Sequence, residues 1–269
     1  MSPLKPSQGV DTHAHVFSAE SPAVPGARYR PAYGADLSAW RALWKVAGIS
    51  HGVVVQPSFF GSDNREMLET LAADPRHLRG VAVLNPHADA ATLARFHARG
   101  VRAIRLNLKG AANYGAFATD SWRAFFDRVH ALGWHVENFV DTGRLPAIEA
   151  AFEGTPVRVL FDHFGSPGIG KDSIDATFAA VRRLAETREV WVKLSAPYRL
   201  DGGDPRELAA RWLDAVGPLR MVWGSDWPWT THEQGNDYGR LRAALDDWID
   251  AGLVRQVLWD NAARLYRFD

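Results

Sequence analysis

The chain of 269 residues has no cysteine, no excess charge of either sign and no long apolar run. The absence of cysteine excludes disulfides, thiolate nucleophiles and thiolate metal ligands, so histidines and carboxylates would have to hold any metal. Basic and acidic residues number 31 each, which leaves no net field to attract nucleic acid or an anionic membrane. No segment is apolar enough to cross a bilayer or to act as a secretory signal. We therefore expect a cytoplasmic protein without nucleic-acid or membrane partners.

Short apolar segments alternate with amphipathic segments along the whole chain. The apolar segments are rich in Val, Ile, Leu and aromatic residues, as strands covered on both faces are. Eight strands are predicted, at Gly9–His15, Ile49–Pro57, Leu78–Asn85, Val101–Leu108, Trp134–Val140, Val157–His163, Val190–Leu194 and Met221–Asp226. The segments between them have helical period. In Asp36–Gly48, for example, apolar residues recur at helical spacing between an N-cap aspartate and a terminating glycine.

This alternation predicts an α/β fold, a closed (β/α)8 TIM barrel, because strand–helix repeats form right-handed units around a parallel sheet. No linker, charge block or low-complexity segment divides the chain, so residues 1–269 are predicted to form one domain. Residues from about 17 to 35 and from about 228 to 239 show no clear period. Both are predicted to be loops over the mouth of the barrel.

Reactive side chains occur where three of the predicted strands end. Strand one ends with His13 and His15, strand six with His163, and strand eight with Asp226. In a parallel barrel the carboxyl ends of the strands form the active site, and period-two alternation turns these side chains inward. A lone histidine in a strand is more often a core residue. Four such residues at one end of a barrel instead favour a catalytic or metal-binding cluster.

The other histidines fall elsewhere in the predicted fold. His232 lies in the loop after strand eight and fits either a structural or a functional role. The rest are given structural roles in loops, on helices or at the start of strand five: His51, His77, His87, His97, His130 and His135.

The combination of motifs resembles the amidohydrolase superfamily and, within it, the 2-pyrone-4,6-dicarboxylate lactonase group. The resemblance runs nearly from end to end, through VDTHAHVF, VVVQPSFFGSDN, RGVAVLNP, IRLNLK, GWHVENF, DHFGSP, VWGSDWP and DNAARLYRF. Each motif alone would be weak, but together they are specific. The resemblance implies a hydrolase that opens the ring of a carboxylated lactone, without a metal cofactor.

The resemblance also implies roles for individual residues. Asp226 would act as the base that activates water, while His13, His15 and His163 would hold and polarise the lactone carbonyl. The family's substrate-binding positions correspond to Tyr29, Ser58, Arg105 and Arg199. The two arginines would bind substrate carboxylate through their guanidinium groups.

Three positions depart from the family pattern. A second arginine of the dicarboxylate lactonase is Ala111 here, a tyrosine near the end of strand five is Phe139, and a histidine after strand eight is Trp229. Phe139 and Trp229 are therefore predicted to give the substrate site a different character. We expect the chemistry to be kept and the preferred lactone to differ, with fewer or differently placed acidic groups.

Several alternatives remain open from the sequence. His13, His15, His163 and Asp226 could instead hold one Zn²⁺ or Mn²⁺, although strands four and five end without the extra histidine or clear bridging lysine of many metal-dependent relatives. The same barrel could belong to a metal-dependent decarboxylase, a lactone isomerase or a small-molecule-binding protein without activity. The partner in each case is a small molecule, and a homo-oligomer is possible.

Overall fold

Eight parallel strands form the centre of the computed structural model, which describes residues 8–269. Each strand pairs with its neighbours in chain order, from β1 to β8. The strands are β1 (Val10–Ala14), β2 (His51–Val55), β3 (Leu78–Ala82), β4 (Val101–Asn107), β5 (His135–Phe139), β6 (Arg158–Phe161), β7 (Val190–Leu194) and β8 (Met221–Trp223). The predicted barrel is confirmed, since all eight strands lie within the predicted segments.

Hydrogen bonds between β1 and the chain after β8 close the barrel. β8 has three residues, fewer than the six predicted, because the chain turns away from β7 after Trp223. The chain after β8 stays hydrogen-bonded to the end of β1. The amide of Asp226 donates to the carbonyl of His13 at 2.9 Å, and the amide of His15 donates to the carbonyl of Trp227 at 2.8 Å. This closure brings the ends of strands one and eight together.

Helices cover the outside of the barrel. Most connections are α-helical, while the one between β5 and β6 is a 3₁₀ helix over Leu145–Phe152. The α-helices are α1 (Leu37–Ala47), α2 (Arg65–Ala73), α3 (Ala90–Ala98), α4 (Asp120–Ala131), α5 (Lys171–Ala185), α6 (Pro205–Val216), α7 (Tyr238–Trp248), α8 (Ala251–Arg255) and α9 (Asn261–Tyr266).

The ends of α1 show how the sequence sets these helices. The Asp36 carboxylate accepts a hydrogen bond from the amide of Ala39 at 2.8 Å, which satisfies a free donor of the first turn. Gly48 ends the helix in the left-handed conformation, at φ 66°, which glycine adopts at little cost. Trp40 and Trp44 face the barrel and are buried.

The core has two parts. The larger part lies between the sheet and the helices. The smaller part fills the barrel interior with strand residues such as Val53, Leu160 and Val222, and with Leu265 and Tyr266 of α9. Burial of this apolar surface stabilises the barrel at roughly 25 cal/mol per Å². Because α9 packs into this interior cluster, the open end of the barrel is the one formed by the carboxyl ends of the strands.

The first segment predicted to be a mouth loop, residues 17–35, contains no helix or named strand, and the second is irregular up to α7. Phe17 and Ala35 pair with each other through backbone hydrogen bonds of 2.9 and 2.8 Å, so the loop between them is tied at its base. The loop after β8 continues to α7 at Tyr238. Within residues 8–269, no helix is long and apolar enough to cross a membrane.

Candidate active site

Asp226 lies at the centre of the predicted cluster. Its Oδ1 faces the Nε2 atoms of His13, His15 and His163 at 3.5, 3.7 and 3.9 Å. Its Oδ2 accepts hydrogen bonds from Tyr198 Oη at 2.7 Å and Arg199 Nε at 2.9 Å. The structure therefore brings the four predicted catalytic side chains together at the carboxyl end of the barrel. One carboxylate oxygen is held firmly, while the other faces the histidines.

His163 and Asp226 reach this cluster through turns rather than through strand alternation. β6 ends at Phe161 and β8 at Trp223, so both residues lie beyond their strands. Both have left-handed backbone conformations, with φ of 53° and 57°. Such conformations are costly for residues other than glycine and cluster at functional sites. The predicted inward direction is correct, but its physical cause differs from the predicted one.

A buried aspartate fixes the junction of strands one and eight. Asp11 is fully buried, and its carboxylate accepts hydrogen bonds from the amide of Ser225 at 2.8 Å and its hydroxyl at 2.6 Å. Trp40 Nε1 and Tyr238 Oη also donate to it, each at 2.9 Å. These bonds anchor the residue immediately before Asp226. Asp11 thus helps to set the position of the Asp226 carboxylate.

A charged network lies beneath the cluster, inside the barrel. Lys193 Nζ is 2.7 Å from Glu137 Oε2, 3.1 Å from Asp162 Oδ1 and 3.1 Å from His13 Nδ1. Asp162 also pairs with Arg105, at 3.2 Å. Lys193, Glu137 and Asp162 are fully buried, which is tolerated only because the charges are paired. The network contacts the side of His13 that faces away from Asp226.

The electrostatic environment sets the charge of the site. Burial would raise the pKa of Asp226, but Arg199 and the surrounding histidines hold this pKa well below its ordinary value. Burial lowers the pKa of His15 to about 3 and that of His163 well below the ordinary histidine range. At neutral pH, Asp226 is therefore ionised while His15 and His163 are neutral.

A cavity of about 280 Å³ opens above Asp226. Its cationic side chains come from four elements of the barrel mouth: Arg28, Arg105, Lys109 and Arg199. His15, His163 and His232 also line it, together with the carboxylates of Asp226 and Asp201. The cavity is large enough for a small ring compound, and its charges suit an anionic one.

Most of the predicted substrate-binding residues line this cavity: Tyr29, Ser58, Arg105, Phe139 and Arg199. Trp229 does not line it. Its indole Nε1 donates to the carbonyl of Ser225 at 3.2 Å, and its ring packs against the core. The position of Trp229 therefore does not support the predicted contact with substrate. His13 lies behind Asp226 and is fully buried.

Sequence reasoning missed several residues of the site. Arg28 and Tyr198 lie in segments without strand or α-helical period, where the sequence gives no direction for a side chain. His232, for which the sequence leaves a structural or a functional role open, also lines the cavity. Glu137, Asp162 and Lys193 did carry a signal, because each is a charge inside or directly after an apolar strand. Such a charge must be paired inside the barrel.

The site could hold one divalent cation. One nitrogen each of His13 and His163 and one oxygen of Asp226 lie within 4.8 Å of one another. His13 Nε2 has no hydrogen-bond partner among the described residues. His15 Nδ1 contacts the carbonyl of Val55 at 2.8 Å, so Nδ1 carries the proton of the neutral His15 ring and Nε2 is left as an acceptor. Nitrogen and carboxylate donors of this kind suit Zn²⁺ or Mn²⁺.

Comparison with known proteins adds independent information. The model of the amidohydrolase family matches residues 10–268. A 2-pyrone-4,6-dicarboxylate hydrolase of Comamonas testosteroni is 31% identical, over 97% of this chain and 90% of the relative. A 4-sulfomuconolactone hydrolase of Rhizobium radiobacter is 29% identical, over the same shares. A crystal structure of a probable 2-pyrone-4,6-dicarboxylic acid hydrolase of Acinetobacter baumannii, with citric acid bound, has a TM-score of 0.87 and 30% identity, over 97% of this chain and 100% of that one.

Proposed function

This chain belongs to the amidohydrolase family, and we propose that it is a hydrolase that opens the ring of carboxylated lactones. The observation that carries the proposal is the Asp226 carboxylate at the floor of a cationic cavity, with one oxygen held by Tyr198 and Arg199 and the other facing histidine nitrogens. Relatives that are named as lactone hydrolases support the same reaction.

In the proposed reaction, a water molecule attacks the lactone carbonyl carbon while Asp226 Oδ1 accepts a proton from it. A tetrahedral intermediate forms, and its negative charge is stabilised by donors that line the cavity. The bond from the carbonyl carbon to the ring oxygen then breaks, and the proton returns to the leaving oxygen. The products of one lactone and one water are a carboxylic acid, which releases its proton at neutral pH, and a hydroxyl or enol group.

The neighbours of each histidine indicate different roles. His15 donates from Nδ1 to the carbonyl of Val55, so its neutral ring can accept a hydrogen bond from the attacking water at Nε2. Lys193 Nζ, which can only donate, lies 3.1 Å from Nδ1 of His13, and Asp162 Oδ1, which can only accept from it, lies 3.3 Å from the same nitrogen. In either tautomer, Nε2 of His13 faces Asp226 Oδ1 at 3.5 Å. His13 would orient the base, while His15 and His163 contact water and substrate.

The substrate is proposed to carry carboxylate, because four cationic side chains line the cavity. Arg105 and Arg199 already pair with Asp162 and Asp226, whereas within residues 8–269 the hydrogen bond of Arg28 goes to the side-chain oxygen of Asn107, at 3.1 Å. Arg28 therefore offers a further cation for a substrate carboxylate. We infer that the acidic groups of the preferred lactone are placed differently from those of 2-pyrone-4,6-dicarboxylate, rather than merely reduced in number.

We infer that the reaction does not depend on a resident metal. Arg199, at 2.9 Å, already neutralises the charge of Asp226, and Lys193 places a second buried cation 3.1 Å from Nδ1 of His13. Both features weaken a site for a dication. Any bound metal would be held by His13, His15, His163 and Asp226, and it would supply Lewis-acid activation of water.

A panel of lactones tests the proposed function. The panel combines neutral, monocarboxylated and dicarboxylated lactones, with released acid titrated and the product analysed by mass after reaction in ¹⁸O-labelled water. We expect carboxylated lactones to be opened with one labelled oxygen in the product. An isomerised product without label would favour a lactone isomerase. Loss of carbon dioxide would favour a decarboxylase.

A further inference from the structure

A second cavity, of about 510 Å³, lies directly beside the catalytic cavity. The two cavities have several lining residues in common, all at the ends of strands or in the loops of the barrel mouth: Arg28, Ser58, Arg105, Asn107 and Lys109. The second cavity, which we call the side cavity, therefore adjoins the catalytic cavity, and the two are bordered by the same side chains.

The rest of the side cavity is mostly apolar. Its wall away from Asp226 is formed by half-buried hydrophobic side chains: Val24, Val83, Leu84, Pro86, Phe117 and Trp122. The rings of Phe117 and Trp122 are 4.9 Å apart, and Trp122 also packs on Phe125 and Phe126 of α4. This wall is therefore supported by the core. A catalytic site that needed only small polar substrates would have no use for it.

Cationic groups mark the junction of the two cavities. Arg28 forms no ion pair with a carboxylate among residues 8–269, although Asp141 is near enough to interact with its charge. Lys109 lies 3.7 Å from Asp141 and is about 40% exposed. A carboxylate on the ligand could bind at this junction. Its ring would then face Asp226, and an apolar substituent would face Leu84 and Trp122.

We propose that the side cavity is a subsite for an apolar substituent, of about the size of a phenyl ring, on a carboxylated lactone. This inference rests on the proposed lactone hydrolysis and specifies its substrate class. Burial of such a substituent removes apolar surface from water, which should raise kcat/KM by roughly tenfold to a hundredfold over the unsubstituted lactone.

The experiment uses the full chain and compares a monocarboxylated 2-pyrone with its phenyl-substituted derivatives, a set of isomers that differ in the ring position of the phenyl group. We expect at least one isomer to exceed the parent compound by about tenfold or more in kcat/KM. Leu84→Trp, which fills the side cavity, should bring the ratio of that isomer to the parent close to one. Leu219→Trp is the matched control, because Leu219 is 46% exposed and lines neither cavity. It should leave the ratio unchanged.

Val83→Trp, at the residue that follows β3, fills the same cavity and is used instead if Leu84→Trp does not fold. The subsite is refuted if the parent is hydrolysed and no phenyl isomer exceeds it, or if both filling variants leave the ratio unchanged. If neither the parent nor any isomer is hydrolysed, the proposed function itself fails and this inference fails with it. The two failures are therefore distinguishable.

Discussion

Replacement of Lys193 by methionine tests the charged network beneath the catalytic cluster. Lys193, Glu137 and Asp162 are each fully buried, and Arg105 pairs with Asp162, so two cations balance two anions. Lys193→Met keeps the length of the side chain but leaves one buried negative charge without a partner. Breaking a buried pair in this way costs about 3–5 kcal/mol. We expect the free energy of unfolding, measured by urea denaturation, to fall by that amount at pH 8.

Glu137→Gln in the same background restores the charge balance. Burial raises the pKa of Glu137, but Lys193 and the hydrogen bond with His135 together lower this pKa to about 2. The double variant should therefore unfold at higher urea concentration than Lys193→Met alone, which a double-mutant cycle measures directly. The deficit of the single variant should also shrink at pH 5. Without the cation, burial raises the pKa of Glu137, so the folded variant takes up a proton that the unfolded chain does not. A loss below about 1 kcal/mol for Lys193→Met, or no recovery in the double variant, would refute this account of the network.

Three further predictions concern substrate, metal and pH. Arg28→Gln should lower kcat/KM about tenfold for carboxylated lactones, mainly through KM, and should leave kcat/KM for a neutral lactone unchanged. The reason is that Arg28, among the described cations that line the cavity, forms no ion pair with a carboxylate of the protein. Equal loss on both substrates would contradict this. Extended treatment with a chelator should leave kcat unchanged, and recovery of lost activity on addition of Zn²⁺ would overturn the metal-free mechanism. Burial lowers the pKa of His51 to about 4, so on acidification the unfolded chain takes up a proton on this residue before the folded protein does. The free energy of unfolding should therefore fall between about pH 6.5 and pH 4, and His51→Gln should make that fall shallower. An unchanged slope in thermal or urea unfolding would argue against it.

The fold and the clustering of the candidate site residues could be predicted because both depend on strand pattern. Apolar strand segments and helical period are local signals, and strand order in a barrel brings His13, His163 and Asp226 to one end. The predicted strands run too far at β6 and β8, which end at Phe161 and Trp223, and the left-handed conformations lie at His163 and Asp226 themselves.

The remaining parts of the site depend on contacts between distant segments. Arg28 and Tyr198 enter the cavity from irregular segments, whose direction no period reveals. Trp229 was expected to contact substrate, but its own turn, with φ of 63°, points the indole towards Ser225. A single charge in an apolar strand, as at Lys193, does not reveal which buried partners from other strands it meets.

The central claim is that Asp226 activates water for lactone opening. The most direct test is kcat of Asp226→Asn on the carboxylated lactone that the wild-type protein opens fastest, with thermal unfolding measured alongside. The amide keeps the shape of the side chain but cannot accept the proton, so we predict a loss of roughly 10²–10⁴ in kcat while the protein stays folded. A folded Asp226→Asn variant with kcat close to that of the wild type would contradict the account.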